Sequence, residues 1–368
     1  MRALDAQNIR DLAMGAAVLG TGGGGDPYIG MLMAVQAVHE HGPISMCSLD
    51  EIADDSLVVP SAMMGAPTVI VEKLPKGDEV LQAFKVLENY LGHRIDYTMP
   101  IEAGGLNSTT PLTVAARLHI PVVDADGMGR AFPEIPMVTH TLYGISATPF
   151  AIADERGNSA ILNTIDNHWT ETFARTLTVD MGSTAHIACY ATRGKQLKEA
   201  AVPGSLSYAE QIGRAIRETQ AAHADVVAAV REVTHGFLIF RGKVADVQRR
   251  TVAGFARGEA TLAGSDDYAG RTMRIQFQNE HLVAQLDERI VVSVPDLIAI
   301  LDAEKGEPIT TEGLRYGYRV VVLGIPCNAK WRTPAGLKLV GPRYFGYQID
   351  YVPVEERYAA MRQNQTVL

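Results

Sequence analysis

Cysteine is almost missing from this chain of 368 residues: Cys47, Cys189 and Cys327 are the whole supply. An odd number at such wide spacing excludes a disulfide framework and gives no metal-cluster spacing, so a reducing compartment is expected. Positive charge has no focus either. The formal net charge is −9, with no basic block anywhere, which counts against binding nucleic acid through its phosphates. No charge-free apolar run approaches the ~18 residues of a membrane span, and no basic start leads into an apolar stretch. The expectation is a cytoplasmic protein without a membrane partner. Serine-hydrolase chemistry lacks its Gly-x-Ser-x-Gly elbow, and the histidines form no His-x-x-x-His pair.

What is present is an ordinary globular balance, 47% hydrophobic and 20% charged, on a chain long enough for two domains. Its densest landmark is Leu19-Gly20-Thr21-Gly22-Gly23-Gly24-Gly25-Asp26-Pro27-Tyr28. Consecutive glycines admit positive φ and turn several N–H groups toward one point. Asp26 as N-cap and Pro27 at the first position start a helix whose apolar positions are Met31, Ala34, Val35 and Val38. Amides at a positive helix end suit an anion or a carbonyl oxygen. The run is not a Walker loop, because no Gly-Lys-Ser/Thr follows. It is not a dinucleotide fingerprint either, because a helix (Ile9, Leu12, Ala13, Ala16) precedes it. A ligand-contacting loop and a tight helix–helix turn both remain open.

The helix begun at Asp26 is expected to stop at Gly42-Pro43. Leu57–Val59 and Thr68–Val71 read as strands around a loop at Gly65-Ala66-Pro67. Val80 to Leu91 reads as a helix, and Ile95–Ile101 as a strand. A helix capped by Thr110 follows, then a strand over Pro121–Val123. This alternation is the rhythm of an α/β layer with its polar loops at one sheet edge. Ser183–Arg193 is expected to be helical, and Ser207 with Glu210 has capping-box spacing. From about Val226 the texture changes to short strands: Gly236–Gly242, Arg250–Phe255, Thr272–Phe277, Leu282–Leu286, Ile290–Val294 and Arg319–Leu323. The expected organisation is an N-terminal α/β domain over 1–165 carrying the glycine-rich loop. A β-rich domain with connecting helices then occupies 166–368, as a sandwich or partly closed barrel.

Two stretches carry chemistry. Glu102-Ala103-Gly104-Gly105-Leu106-Asn107 lies at a strand mouth, and a charge there is costly if buried unpaired. Asp124-Ala125-Asp126-Gly127-Met128-Gly129-Arg130-Ala131-Phe132-Pro133-Glu134 puts three carboxylates and an arginine just past another strand end. Asp124 and Asp126 project to one side of an extended backbone, where paired carboxylates bind a divalent cation or raise one pKa into the range of a general base. Arg130 can grip a carboxylate or amide oxygen. The structural alternative has both aspartates capping local backbone and Arg130 paired with Glu134.

In their order these three motifs resemble the S-methyl-thiohydantoin desulfurase family, over the full length of the chain. The resemblance implies an N-terminal α/β domain and a β-rich C-terminal domain. It also implies hydrolysis of an S-methylated thiohydantoin ring, or partnership with hydantoinase and oxoprolinase subunits. The chemistry of the loops then gives the expected roles. Gly22, Gly23, Gly24 and Gly25 face a developing oxyanion, while Asn107, Arg130 and Glu134 hold the substrate. Asp126, Asp124 or Glu102 activates water, and the same three carboxylates are the ligands if a divalent metal ion is used. The alternatives are a non-catalytic subunit of an ATP-dependent hydantoinase or oxoprolinase, and a nucleotide-using ligase or transferase. The expected partners are a small-molecule substrate and either further copies of the chain or a hydantoinase-type subunit.

Overall fold

The computed structural model describes residues 1–65, 69, 78–252 and 255–365. In chain order the first strands are β1 (Arg2–Leu4), β2 (Ile44–Cys47), β3 (Leu57–Gly65), β4 (Tyr97–Met99), β5 (Val122–Val123) and β6 (Ala125–Asp126). Then come β7 (Phe150–Ala153), β8 (Ser159–Leu162), β9 (Thr184–Ala188), β10 (Thr192–Arg193) and β11 (Val202–Pro203). They build a mixed sheet in the order β1-β2-β5-β4-β3-β9-β7-β8, with β10 also beside β3, while β6 and β11 pair separately. The segment β2-β5-β4-β3 is parallel; β9 joins β3 antiparallel. The parallel strands therefore end along one edge, where their loops gather.

Several local signals act as the sequence predicts. The helix expected through Ile9, Leu12, Ala13 and Ala16 spans Ala6–Leu19, with Asp5 accepting from the N–H groups of Gln7 and Asn8. Asp26 accepts from Tyr28 N–H and caps Pro27–His41, which stops at Gly42 with φ +89°. The helix expected over Val80–Leu91 spans Asp78–Leu91. Thr110 is the first residue of its helix (Thr110–Leu118) rather than its cap, which is Thr109. The expected strand Thr68–Val71 and the loop at Ala66 and Pro67 lie, Val69 apart, outside the described residues.

Two helical expectations are overturned. Ser183–Arg193 is not a helix: it carries β9 and β10, and Cys189 follows β9. β9 is inserted between β3 and β7 and is buried at four of its five positions, and Thr-Ala-His-Ile-Ala is too short and too rich in small residues to mark a strand. The capping box at Ser207 and Glu210 is also replaced. The helix Ser205–Ala221 begins two residues earlier, after Gly204 at φ +72°, and Ser207 turns its hydroxyl to Asp124 instead.

The C-terminal half is an antiparallel sheet of β12 (Phe237–Val252), β13 (Phe255–Gly264), β14 (Thr272–Gln278), β15 (Glu280–Leu286), β16 (Arg289–Ser293), β17 (Leu297–Asp302) and β18 (Arg319–Ile325). Its order is β16-β15-β14-β13-β12-β18-β17. The separate strand expected at Arg250–Phe255 is instead the end of β12 and the start of β13; residues 253 and 254 are outside the described set. The sheet curls into a half-barrel. β15 and β17, far apart in that order, are joined by His281 Nδ1–H donating to Ile298 O (2.9 Å).

The two halves share one apolar core. Leu12, Ala16 and Leu19 of the first helix belong to the same cluster as Leu297, Ala299 and Leu323. The first helix also crosses Ser205–Ala221 at backbone contact distance. A Cβ on Gly15 would lie 1.8 Å from Ala209 O, and one on Gly213 would lie 1.8 Å from Asp11 O. Neither carbonyl can rotate away without unwinding its helix. Gly213→Val is therefore expected to force the pair apart and cost about 3 kcal/mol or more, combining overpacking with loss of the interface. Urea unfolding of the variant checks this, and a change below about 1 kcal/mol would contradict the close crossing.

Candidate functional site

The edge where β3 and β4 end holds a pocket that is closed on its far side by the start of β15. Its wall includes Gly24, Gly25, Met63, Glu102, Asn107, Phe132, Glu134, Arg175, Asn279 and Glu280. The centre of a water molecule can move through about 80 Å³ of it, room for a compact ligand. One side is apolar (Met63, Ile135, Ile187), and the other carries carboxyls and an amide.

Glu102 leaves the end of β4 by way of Pro100 and Ile101 and is buried. Asn107 fixes it: Nδ2 donates to Glu102 Oε1 (2.7 Å) and to Met63 O (3.1 Å), while Oδ1 accepts from Met63 N–H (2.8 Å). Asn107 thereby clamps the carboxyl to the end of β3, and Phe132 N–H reaches Oε2 more weakly (3.4 Å). Burial pushes the Glu102 carboxyl up to about 7; these hydrogen bonds oppose the shift, and the charge of Asp126 adds to it.

The glycine run packs directly on this loop. Leu106 N–H donates to Gly24 O (2.8 Å), and a Cβ on Gly24 would lie 2.6 Å from Gly104 Cα. Gly22, Gly24 and Gly25 take positive φ. Among the described residues the N–H groups of Gly24 and Gly25 donate to no protein acceptor, although Gly23 N–H is committed to Gly20 O (2.9 Å). Gly22 is covered by the His281 ring and does not line the pocket.

The second candidate stretch is divided. Asp124 faces away from the pocket, capping Ser205–Ala221 by accepting from Ser207 N–H (2.9 Å) and Ser207 Oγ–H (2.5 Å). Asp126 is fully buried behind the wall. Its Oδ2 accepts from Met128 and Gly129 N–H (2.9 and 2.7 Å), and burial pushes it up to about 7. The metal set of Asp124, Asp126 and Glu102 is therefore not assembled. Among the described residues no three His, Cys, Asp or Glu side chains are grouped to hold an ion. Neither aspartate lines the pocket; of the three carboxylates only Glu102 does.

Arg130 needs the clearest correction. It is buried, neither paired with Glu134 nor open to a ligand. Nε donates to Ala131 O (3.0 Å), one terminal nitrogen to Pro295 O and Asp296 O (2.7 and 2.9 Å), and the other to Thr21 Oγ1 (2.9 Å). It ties the glycine run to the C-terminal sheet. Glu134 does reach the wall, accepting from Tyr344 O–H (2.6 Å).

Sequence reasoning missed Glu280. It opens β15 after Asn279, whose φ of +58° makes the turn, and it is buried on the pocket wall. Its carboxyl lies over Gly23, where a Cβ would be 2.0 Å from Oε1, and its Oε2 finds no partner among the described residues. Burial raises this carboxyl well above the usual range; Glu102 pushes the same way and Arg130 opposes. Its only sequence signal was an Asn-Glu-His step between two strands, which reads as a turn.

These features define a two-part protein with a small acidic cleft between a glycine-rich α/β edge and a curled antiparallel sheet. The chain matches the S-Me-THD-like N-terminal domain over residues 7–164 and the S-Me-THD-like C-terminal domain over 165–354. It belongs to the S-Me-THD-like family, as its motifs suggested. A protein of Chromobacterium violaceum solved by X-ray crystallography as a structural-genomics target has the same fold. The TM-score is 0.80 at 24% identity, and the match covers 96% of this chain and 100% of that one. No curated protein matches the chain. Among the described residues no helix is long and apolar enough to cross a membrane.

Proposed function

We propose that the chain is a hydrolase of a small cyclic amide or thio-amide, of the kind an S-methyl-thiohydantoin ring represents. The observation that carries this reading is Glu102: a buried carboxyl on the pocket wall, held by Asn107 at 2.7 Å and titrating near 7. A carboxyl that is part ionised at neutral pH is poised as a general base. Water deprotonated by Glu102 adds to the ring carbon that bears sulfur. Electron density moves through the ring nitrogen onto the neighbouring carbonyl oxygen, where the uncommitted amides of Gly24 and Gly25 suit the developing charge. Collapse expels the thiol. Met63, Ile135 and Ile187 offer an apolar wall for the S-methyl group.

Three carboxyls on the wall (Glu102, Glu134 and Glu280) outnumber its one cation among the described residues, Arg175, which is itself paired with Glu171, and disfavour a nucleotide's phosphates. The test is thiol release from an S-methyl-thiohydantoin by the purified chain alone. Turnover supports the hydrolase, whereas release that appears only after a hydantoinase-type subunit is added favours the non-catalytic partner.

A further inference from the structure

The pocket contains a second buried carboxyl that the base-and-amide scheme leaves unused. Glu280 comes from the C-terminal sheet, whereas Glu102 comes from the α/β edge, yet both line one small cleft. Glu280 is 2% exposed, and its Oε2 has no partner among the described residues. Two buried carboxyls whose charges oppose each other in one small pocket do not readily both ionise; one keeps its proton. The charged and titratable groups that bear on Glu280 are Glu102, Glu312 and Arg130, two of them acidic. Asn107 donates its amide to Glu102, which favours ionisation there, and no comparable side-chain donor reaches Glu280. The proton therefore stays on Glu280. The position is also built for it. With a side chain at residue 23, a Cβ would fall on the Glu280 carboxyl, 2.0 Å from Oε1 and 2.6 Å from Cδ.

Resting on the hydrolase reading above, we propose that Glu280 is the acid that protonates the leaving atom. As water adds to the ring carbon, one of its protons passes to Glu102. As the carbon–sulfur bond breaks, its electron pair leaves with sulfur, and the Glu280 carboxyl proton joins that sulfur to release a neutral thiol. Glu102 ends protonated and Glu280 ionised, and exchange with solvent after product leaves resets both. The electron density on the neighbouring oxygen returns to the ring as sulfur leaves, and the remaining hydroxyl proton moves to the ring nitrogen, so the net change is a cyclic thioimidate plus water giving ring carbonyl, ring N–H and thiol. Such a site is fitted to substrates whose leaving atom is strongly basic, an alkyl thiolate or a ring nitrogen, because those need a proton most.

The test compares two probes on the full chain: an S-methyl-thiohydantoin and its S-trifluoroethyl analogue, whose thiolate is a much weaker base. Glu280→Gln keeps the shape and removes the acid. The expected result is a loss in kcat/KM of about 100-fold or more on the S-methyl probe. The loss on the trifluoroethyl probe should be about 10-fold or less, because that thiolate departs unprotonated. Retained turnover of the second probe also shows that the variant is folded, and a merely structural role would slow both probes alike. Equal losses on the two probes, or no loss on either, overturn the assignment of Glu280 while leaving the hydrolase intact. No release from either probe by the unaltered chain overturns the hydrolase reading and this assignment together.

Discussion

Glu102→Gln is expected to reduce thiol release by about 10²–10⁴-fold, the usual worth of a positioned general base, with KM little changed. The same substitution should make the protein harder to unfold above neutral pH. Burial carries the Glu102 carboxyl from its ordinary 4.5 to about 7, so between those values the folded chain binds a proton that the unfolded chain has released. Stability then falls as pH rises through that window, and above it the ionised carboxylate costs the fold on the order of 3 kcal/mol. A glutamine carries no such charge. It keeps the Asn107 contact through its oxygen but sets an amide against Phe132 N–H, a loss of about 1 kcal/mol. The variant should therefore match or fall slightly below the parent at pH 4.5 and exceed it at pH 8. Urea unfolding at the two pH values reads the difference. A variant that is inactive and also less stable at pH 8 would mean that Glu102 works as a structural partner, not as a base held at a cost to stability.

What the sequence disclosed is what acts locally. The Asp26 cap, Pro27 at a helix start and the stop at Gly42 depend on neighbours within a turn, and each stands where the residues predicted. Strand ends next to polar loops also located Glu102 and Asn107 on the pocket wall. Elements covered on both faces stayed hidden. β9 is a five-residue strand rich in small residues, and β17 reads as an unbroken apolar run just after Pro295. Side chains whose role depends on distant chain were hidden more deeply. Asp124 looked like a ligand because its acceptor capacity was visible, but Ser207, eighty-three positions away, is what fills it. Glu280 looked like part of a turn because the pocket it enters is built mostly by residues in the other half of the chain.

Arg130 is the extreme case of that second kind, and its replacement should have the largest effect on stability. The guanidinium is buried among Ala131 O, Pro295 O, Asp296 O and Thr21 Oγ1, and it lies over the Phe132 ring at 4.4 Å. Burial pulls it down to about 10, against the charge of Asp296, and that is still far above neutrality, so it stays charged at neutral pH. Arg130→Met fills much of the volume but leaves carbonyls from both halves unpaired and removes the positive charge facing Glu280 and Glu102. Breaking a buried charged network in this way typically costs about 3–5 kcal/mol, and that is the loss expected in urea unfolding. Arg130→Lys should recover only part of it, because one ammonium has three donors and no planar fork to span carbonyls on two chain segments. If Lys restores full stability, charge alone holds the glycine run to the half-barrel. If Met costs less than about 1 kcal/mol, the shared apolar core of Leu12, Leu19, Leu297 and Leu323 joins the two halves without the arginine. Arg130 would then matter for the charge state of the two glutamates and not for the fold.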